Sequence, residues 1–137
     1  MKRSYFIRNT ALTAAGAFLS RNSFGLPQNE FPVVRTPAGK RNFTSMAVQN
    51  VITKFKSSVK NKELGWLFEN CFPNTLDTTV DFEMTDGHPD TYVITGDIDA
   101  MWLRDSTAQV WPYLNFVKED KNLRQLIAGV INRQAKN

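Results

Sequence analysis

A chain of 137 residues with one cysteine, one histidine and a formal charge of +4 has room for one domain and a modest core. The lone cysteine excludes an internal disulfide framework. A net positive charge of this size suggests an anionic partner at first sight, but its location along the chain removes that suggestion.

Residues 1–25 carry Lys2, Arg3 and Arg8, then a mildly apolar run from Ala11 to Leu19, then Ser23-Phe-Gly25 with small residues where a signal peptidase cuts. This is the outline of an export signal, too short for a membrane span, and both general secretion and twin-arginine export stay open. No acid precedes Glu30, which disfavours reading it as an amphipathic helix of the mature fold. Its removal leaves thirteen basic and thirteen acidic residues. The mature chain is then formally neutral, so a nucleic-acid partner loses its support, and no stable membrane insertion is expected.

Residues 26–42 hold Pro27, Pro32, Pro37 and Gly39 and read as an extended arm or linker, leaving 43–137 as the folded domain. From Phe43 to Val59 the residues Phe43, Met46, Ala47, Val51, Phe55 and Val59 recur at helical spacing, with Lys54, Lys56 and Lys60 on a solvated face. Glu63 to Phe72 predicts a second helix, stopped by Pro73. A buried structural role is expected for Cys71, since a thiol–histidine pair would have to use His88 in the turn-like Asp86-Gly-His-Pro-Asp90 stretch. Val80 to Met84 and Tyr92 to Thr95 predict a hairpin around Asp86-Gly87. Leu103 to Phe116 predicts a helix that Pro112 kinks or breaks. Leu123, Leu126, Ile127, Val130 and Ile131 predict a last helix that runs to Asn137 with no closing Gly or Pro.

Between hairpin and helix lies the densest chemistry, Gly96-Asp97-Ile-Asp99-Ala-Met101-Trp102-Leu-Arg104-Asp105. Carboxylates accept hydrogen bonds from vicinal hydroxyls, a guanidinium donates through a fixed fork, and a Trp face packs the apolar side of a sugar ring. Spacing alone equally allows Arg104 and Asp105 to be ordinary partners at a helix start, with Trp102, Val110 and Trp111 as core. Asp97-Ile-Asp99 is formally the Asp-x-Asp of metal-dependent glycosyltransferases, but the surrounding α/β nucleotide-binding pattern is missing. A calcium loop counted from Asp97 would place Trp102 at the glycine position and Ala108 at the terminal glutamate, so it is rejected. No metal and no cofactor are expected.

The run Ile94-Thr-Gly-Asp97-Ile-Asp-Ala-Met-Trp-Leu-Arg104-Asp105-Ser with Gln109-Val-Trp-Pro-Tyr-Leu resembles the N-terminal signature of glycoside hydrolase family 125, the exo-α-1,6-mannosidases. Asn70-Cys-Phe-Pro-Asn-Thr-Leu and Ile127-Ala-Gly-Val-Ile-Asn-Arg-Gln-Ala extend the similarity over residues 43–137. The resemblance implies a mainly α fold, an (α/α)6 barrel or helical-hairpin toroid of which this chain is an incomplete leading portion carrying a small β-hairpin. It implies metal-independent, inverting removal of non-reducing-end α-1,6-mannose from a mannose-containing glycan. By motif position, Asp97, Arg104 and Asp105 resemble the residues gripping the terminal mannose, Met101 and Trp102 shape the pocket floor, and Asp99 completes the set. Inversion needs an acid and a base roughly 6.5–9.5 Å apart. Asp97, Asp99 and Asp105 are close in sequence and would line one wall, so they are assigned to binding; the resemblance implies that the catalytic pair lies downstream of the signature, beyond Asn137. A non-catalytic mannoside-binding protein and an inactive truncated remnant are the alternatives.

Overall fold

The computed structural model describes residues 31–96 and 100–136. The leader read at 1–25 lies outside them, and so do Asp97 and Asp99. Five α-helices and one hairpin are described, in the order α1 (Met46–Ser58), α2 (Lys62–Cys71), α3 (Asn74–Thr78), β1 (Val80–Thr85), β2 (His88–Val93), α4 (Leu103–Val110) and α5 (Lys121–Lys136). Two 3-10 segments join them, Ala38–Lys40 in the arm and Trp111–Phe116 directly after α4. All of these elements belong to the compact unit Val33–Asn137. The chain is mainly helical.

Local chemistry accounts for the helix starts. Ser45 caps α1 by accepting from Val48 N–H at 3.3 Å, and Asn61 caps α2 by accepting from Leu64 N–H at 3.1 Å. Each such cap contributes about 1 kcal/mol. Pro73 ends α2 and at the same time stands as the N-cap of α3, a short helix the sequence reading missed. Proline is tolerated there because its absent N–H would have had no helical partner.

The buried stripe of α1 is Ala47, Val48 and Ile52, and Met46 is exposed. Of the expected stripe, Ala47 is buried, Phe43, Val51, Phe55 and Val59 are half-buried, and Met46 alone faces solvent. Val48 and Ile52, which the expected stripe did not include, supply the most deeply buried positions of the helix.

β1 and β2 pair antiparallel from Val80 opposite Val93 to Thr85 opposite His88. Asp86 (φ +52°) and Gly87 (φ +78°) both adopt left-handed backbone, as a two-residue type I′ connection demands. β2 buries Asp90, Thr91 and Val93, and α5 packs against the strand. Gly129 permits the close approach: a Cβ there would lie 2.3 Å from Thr91 Oγ1 and 2.9 Å from the Thr91 backbone nitrogen. Thr91 Oγ1 donates to Leu126 O at 2.8 Å, and Asn132 Nδ2 donates to Pro89 O at 2.8 Å. Asp90 receives Arg133 Nε at 2.6 Å and Lys136 Nζ at 3.0 Å. Burial pushes the Asp90 carboxyl up, but the hydrogen bonds and charges of Lys136 and Arg133 outweigh it and hold it below its ordinary value.

The core joins Val48 and Ile52 of α1, Leu76 of α3, Val80 and Val93 of the hairpin, Val110, Tyr113, and Leu123, Leu126, Ile127 and Val130 of α5. An aromatic row flanks it: Phe55 meets Phe68 at 4.2 Å between ring centres, Phe68 stacks on Phe72 at 4.6 Å, and Phe72 meets Tyr113 edge-on at 5.5 Å. The Tyr113 hydroxyl donates to Phe72 O at 2.5 Å, and burial raises its pKa above the usual phenol value.

The arm is extended around its 3-10 turn and is pinned to the domain. Arg35 Nε and Nη2 donate to the two carboxylate oxygens of buried Asp77 at 2.6 and 3.2 Å, while Arg35 Nη1 donates to Gln49 Oε1 at 2.9 Å.

Candidate functional site

The site is built where β2 hands over to α4. Past Val93, Ile94 N–H donates to Thr79 O at 2.8 Å, and Ile94 O accepts from Gln109 Nε2 at 3.2 Å. The next residue holds the two sides of the following loop together. Thr95 Oγ1 donates to Ala100 O at 2.9 Å and accepts from Trp102 N–H at 3.2 Å. Thr95 thereby spans the segment that carries Asp97 and Asp99.

Trp102 is the N-cap of α4, with extended backbone and no capping bond from its indole. Its carbonyl accepts from Ser106 N–H at 2.9 Å and from Ser106 Oγ at 2.7 Å. Ser106 is fully buried, and α5 reaches it from the far side. Gln134 Nε2 lies 2.8 Å from Ser106 Oγ, 3.0 Å from Thr107 Oγ1 and 3.3 Å from Leu103 O. The first turn of α4 is thus held from β2, from its own interior and from α5.

What this turn displays faces solvent. Trp102 is 54% exposed, Leu103 66% and Trp111 65%, so neither tryptophan is core, whereas Val110 is. Leu103, Arg104, Thr107, Ala108 and Trp111 line an open, mostly apolar groove. They share a helix face because they recur near every fourth position, carried on by the 3-10 turn that begins at Trp111. The Arg104 side chain is 90% exposed, and its Nη2 lies 3.6 Å from Asp105 Oδ1. That pair exists, as the plainer reading of the sequence allows, but at this separation and exposure it contributes little and leaves the guanidinium fork uncommitted. Asp105 stands in the first turn of α4, where the helix dipole favours a carboxylate. Met101 packs against the edge of the core and is not part of that groove.

Cys71 corrects the expectation made for it. The thiol is exposed at the last position of α2, because the inward positions there are taken by Phe68 and Phe72. It borders a second groove with Phe72, Thr75, Gln109 and Pro112.

The arrangement can present an aromatic face, an apolar strip and a guanidinium to one ligand from a backbone that is already fixed. Thr95, Ser106 and Gln134, which hold that backbone, went unremarked in the sequence. Thr95 and Ser106 sit inside the signature and could have been found as hydroxyls beside a helix start. Gln134 has no local signal, since its partner Ser106 is 28 residues away.

The 105 residues that match the "Meiotically up-regulated gene 157 protein" of Schizosaccharomyces pombe are 47% identical, covering 76% of this chain and 21% of that protein. The chain therefore spans about a fifth of that relative's length. A sequence model of the metal-independent alpha-mannosidases, glycoside hydrolase family 125, matches residues 61–137, which include the hairpin, the Thr95–Trp102 loop, α4 and α5. The chain belongs to glycoside hydrolase family 125.

Proposed function

We propose that this chain supplies part of the glycan-binding wall of an exported exo-α-1,6-mannosidase that acts with inversion. The observation that carries the reading is the Trp102–Arg104 turn: its backbone is held on three sides while its indole and guanidinium stand in solvent. A folded protein that fixes a backbone so tightly and leaves its Trp exposed and its Arg held only by a long, solvent-exposed ion pair has them ready for a ligand.

For a terminal mannose, Trp102 would cover the C–H face of the ring, and Arg104 would donate to two oxygens at once. Asp97, Asp99 and Asp105 would accept from ring hydroxyls. In this reading the three acids bind without transferring protons, and other parts of the complete enzyme provide the acid and base. The five helices described here would form one side of an (α/α)6 barrel, with the apolar face of α4 turned toward its interior. Export follows from the leader read in residues 1–25.

The test is proton NMR of α-1,6-mannobiose incubated with the complete enzyme. Release of β-mannose as the first-formed anomer, with the α-1,2 and α-1,3 isomers untouched, supports the reading. First release of α-mannose overturns inversion. Binding of the disaccharide with no cleavage favours a non-catalytic mannoside-binding protein.

A further inference from the structure

We infer that Thr95 is a positioning residue for glycan binding, acting through the backbone of Trp102; the inference rests on the proposed mannoside site and deepens it. No part of the Thr95 side chain belongs to the groove itself. Its hydroxyl is instead used twice over, donating to Ala100 O and accepting from Trp102 N–H. Among the described residues the acceptor of the Trp102 N–H is the Thr95 hydroxyl, so a side chain without that oxygen removes it.

Both faces of the residue that would stack on the sugar are consequently fixed. The Trp102 N–H is held by Thr95 and the Trp102 carbonyl by Ser106, which Gln134 in turn fixes from α5. The indole is half exposed, and the direction of the Cα–Cβ bond from which it projects is fixed by this backbone. A ligand meeting a preset platform avoids the ordering cost of forming it. Serine could make the same two hydrogen bonds, and valine, which matches threonine in shape, could make neither. The hydroxyl is therefore separable from the methyl group by substitution.

The test compares the full chain with Thr95→Val and Thr95→Ser. Amide hydrogen exchange reads the loop without any ligand, and calorimetry with α-1,6-mannobiose reads the site. In Thr95→Val the Trp102 amide exchanges roughly tenfold faster or more while the amides of β2 and α5 keep their protection, since two hydrogen bonds of ordinary net strength correspond to about that factor. The same variant binds the disaccharide about tenfold more weakly, and Thr95→Ser restores both readouts. Unchanged Trp102 exchange or unchanged affinity in Thr95→Val overturns the inference. So does a Thr95→Ser variant as weak as Thr95→Val, which would assign the effect to methyl packing, and so does loss of protection throughout α5, which would assign it to folding. If the unsubstituted chain gives no binding heat while Thr95→Val still accelerates Trp102 exchange, the mannoside reading fails and the pin survives as a purely structural device.

Discussion

Ser45 Oγ donates to Asp120 Oδ2 at 2.6 Å, tying together the starts of two helices that are 75 residues apart in sequence. The other oxygen of Asp120 accepts from Asn122 and Leu123 N–H, each at 3.0 Å, and so caps α5. Burial pushes the Asp120 carboxyl up, but the Ser45 hydroxyl and the N–H groups of Leu123, Ala47 and Asn122 more than compensate and lower its pKa. A lowered folded-state pKa means stability that is complete above the unfolded value of about 3.9 and is lost as pH falls through the folded value. Asp90 shifts in the same direction. Urea unfolding should therefore show stability falling below about pH 4. Asp120→Ala should cost about 1–2 kcal/mol at pH 7, and Asp120→Asn, which still caps, should cost less and flatten the acid limb.

Gly129→Ala should destabilise the protein although alanine favours a helix by about 1 kcal/mol over glycine. The added methyl would meet the backbone of Asp90 and Thr91 at 2.9 Å, and strand backbone cannot rotate aside as a flexible side chain can. A net loss of about 1–3 kcal/mol is expected from such overpacking. Thr91→Ser should rescue little of it. Thermal unfolding of the single and double variants checks both statements.

Arg104 separates binding from stability. With 90% of its side chain exposed and only a distant ion pair, Arg104→Ala should shift unfolding free energy by less than about 0.5 kcal/mol. In the complete enzyme the same change should lower turnover of α-1,6-mannobiose by orders of magnitude, and Asp97→Ala should do likewise. Arg104→Lys should be nearly as harmful, because a point charge does not reproduce the fork. Near-normal kinetics in either alanine variant would remove that residue from the site.

Cys71 should react with a disulfide reagent such as dithionitrobenzoate in the folded protein, without denaturant, because its thiol is exposed. Cys71→Ser should leave the unfolding midpoint unchanged. A thiol that reacts only in urea would return Cys71 to the interior.

What could be read from the residues was whatever the chain decides locally. The period of Leu123, Leu126, Ile127 and Val130 describes α5, although Ile131, read with them, is exposed. Asp86-Gly87 describes the turn of the hairpin because few other pairs accept two left-handed residues, although its second strand is His88–Val93 and not Tyr92 to Thr95. The break at Pro112 appears as the change from α4 to a 3-10 turn. Decisions taken by tertiary packing were not legible. Nothing in the order of residues tells whether Trp111 or Val110 turns inward, or that Val48 and Ile52 and not Met46 are the buried positions of α1. The same limit hid Cys71, since cysteine is usually buried and only Phe68 and Phe72 reveal why this one is not. For the candidate site, Trp102, Arg104 and Asp105 stood out by chemistry alone, but the bonds from Ser106 and Gln134 that make their turn rigid depend on α5 folding back.

Asp77 sets how far the N-terminus can be trimmed. A protease that stops before Val33 leaves the Arg35 clamp whole. One that proceeds to Asn42 removes Arg35 and also Arg41, whose Nε lies 3.7 Å from the same carboxylate. The domain would then keep a buried anion with both of its cations gone, a state that costs several kcal/mol. Proteolysis that goes past the arm would in that way expose its own product to unfolding.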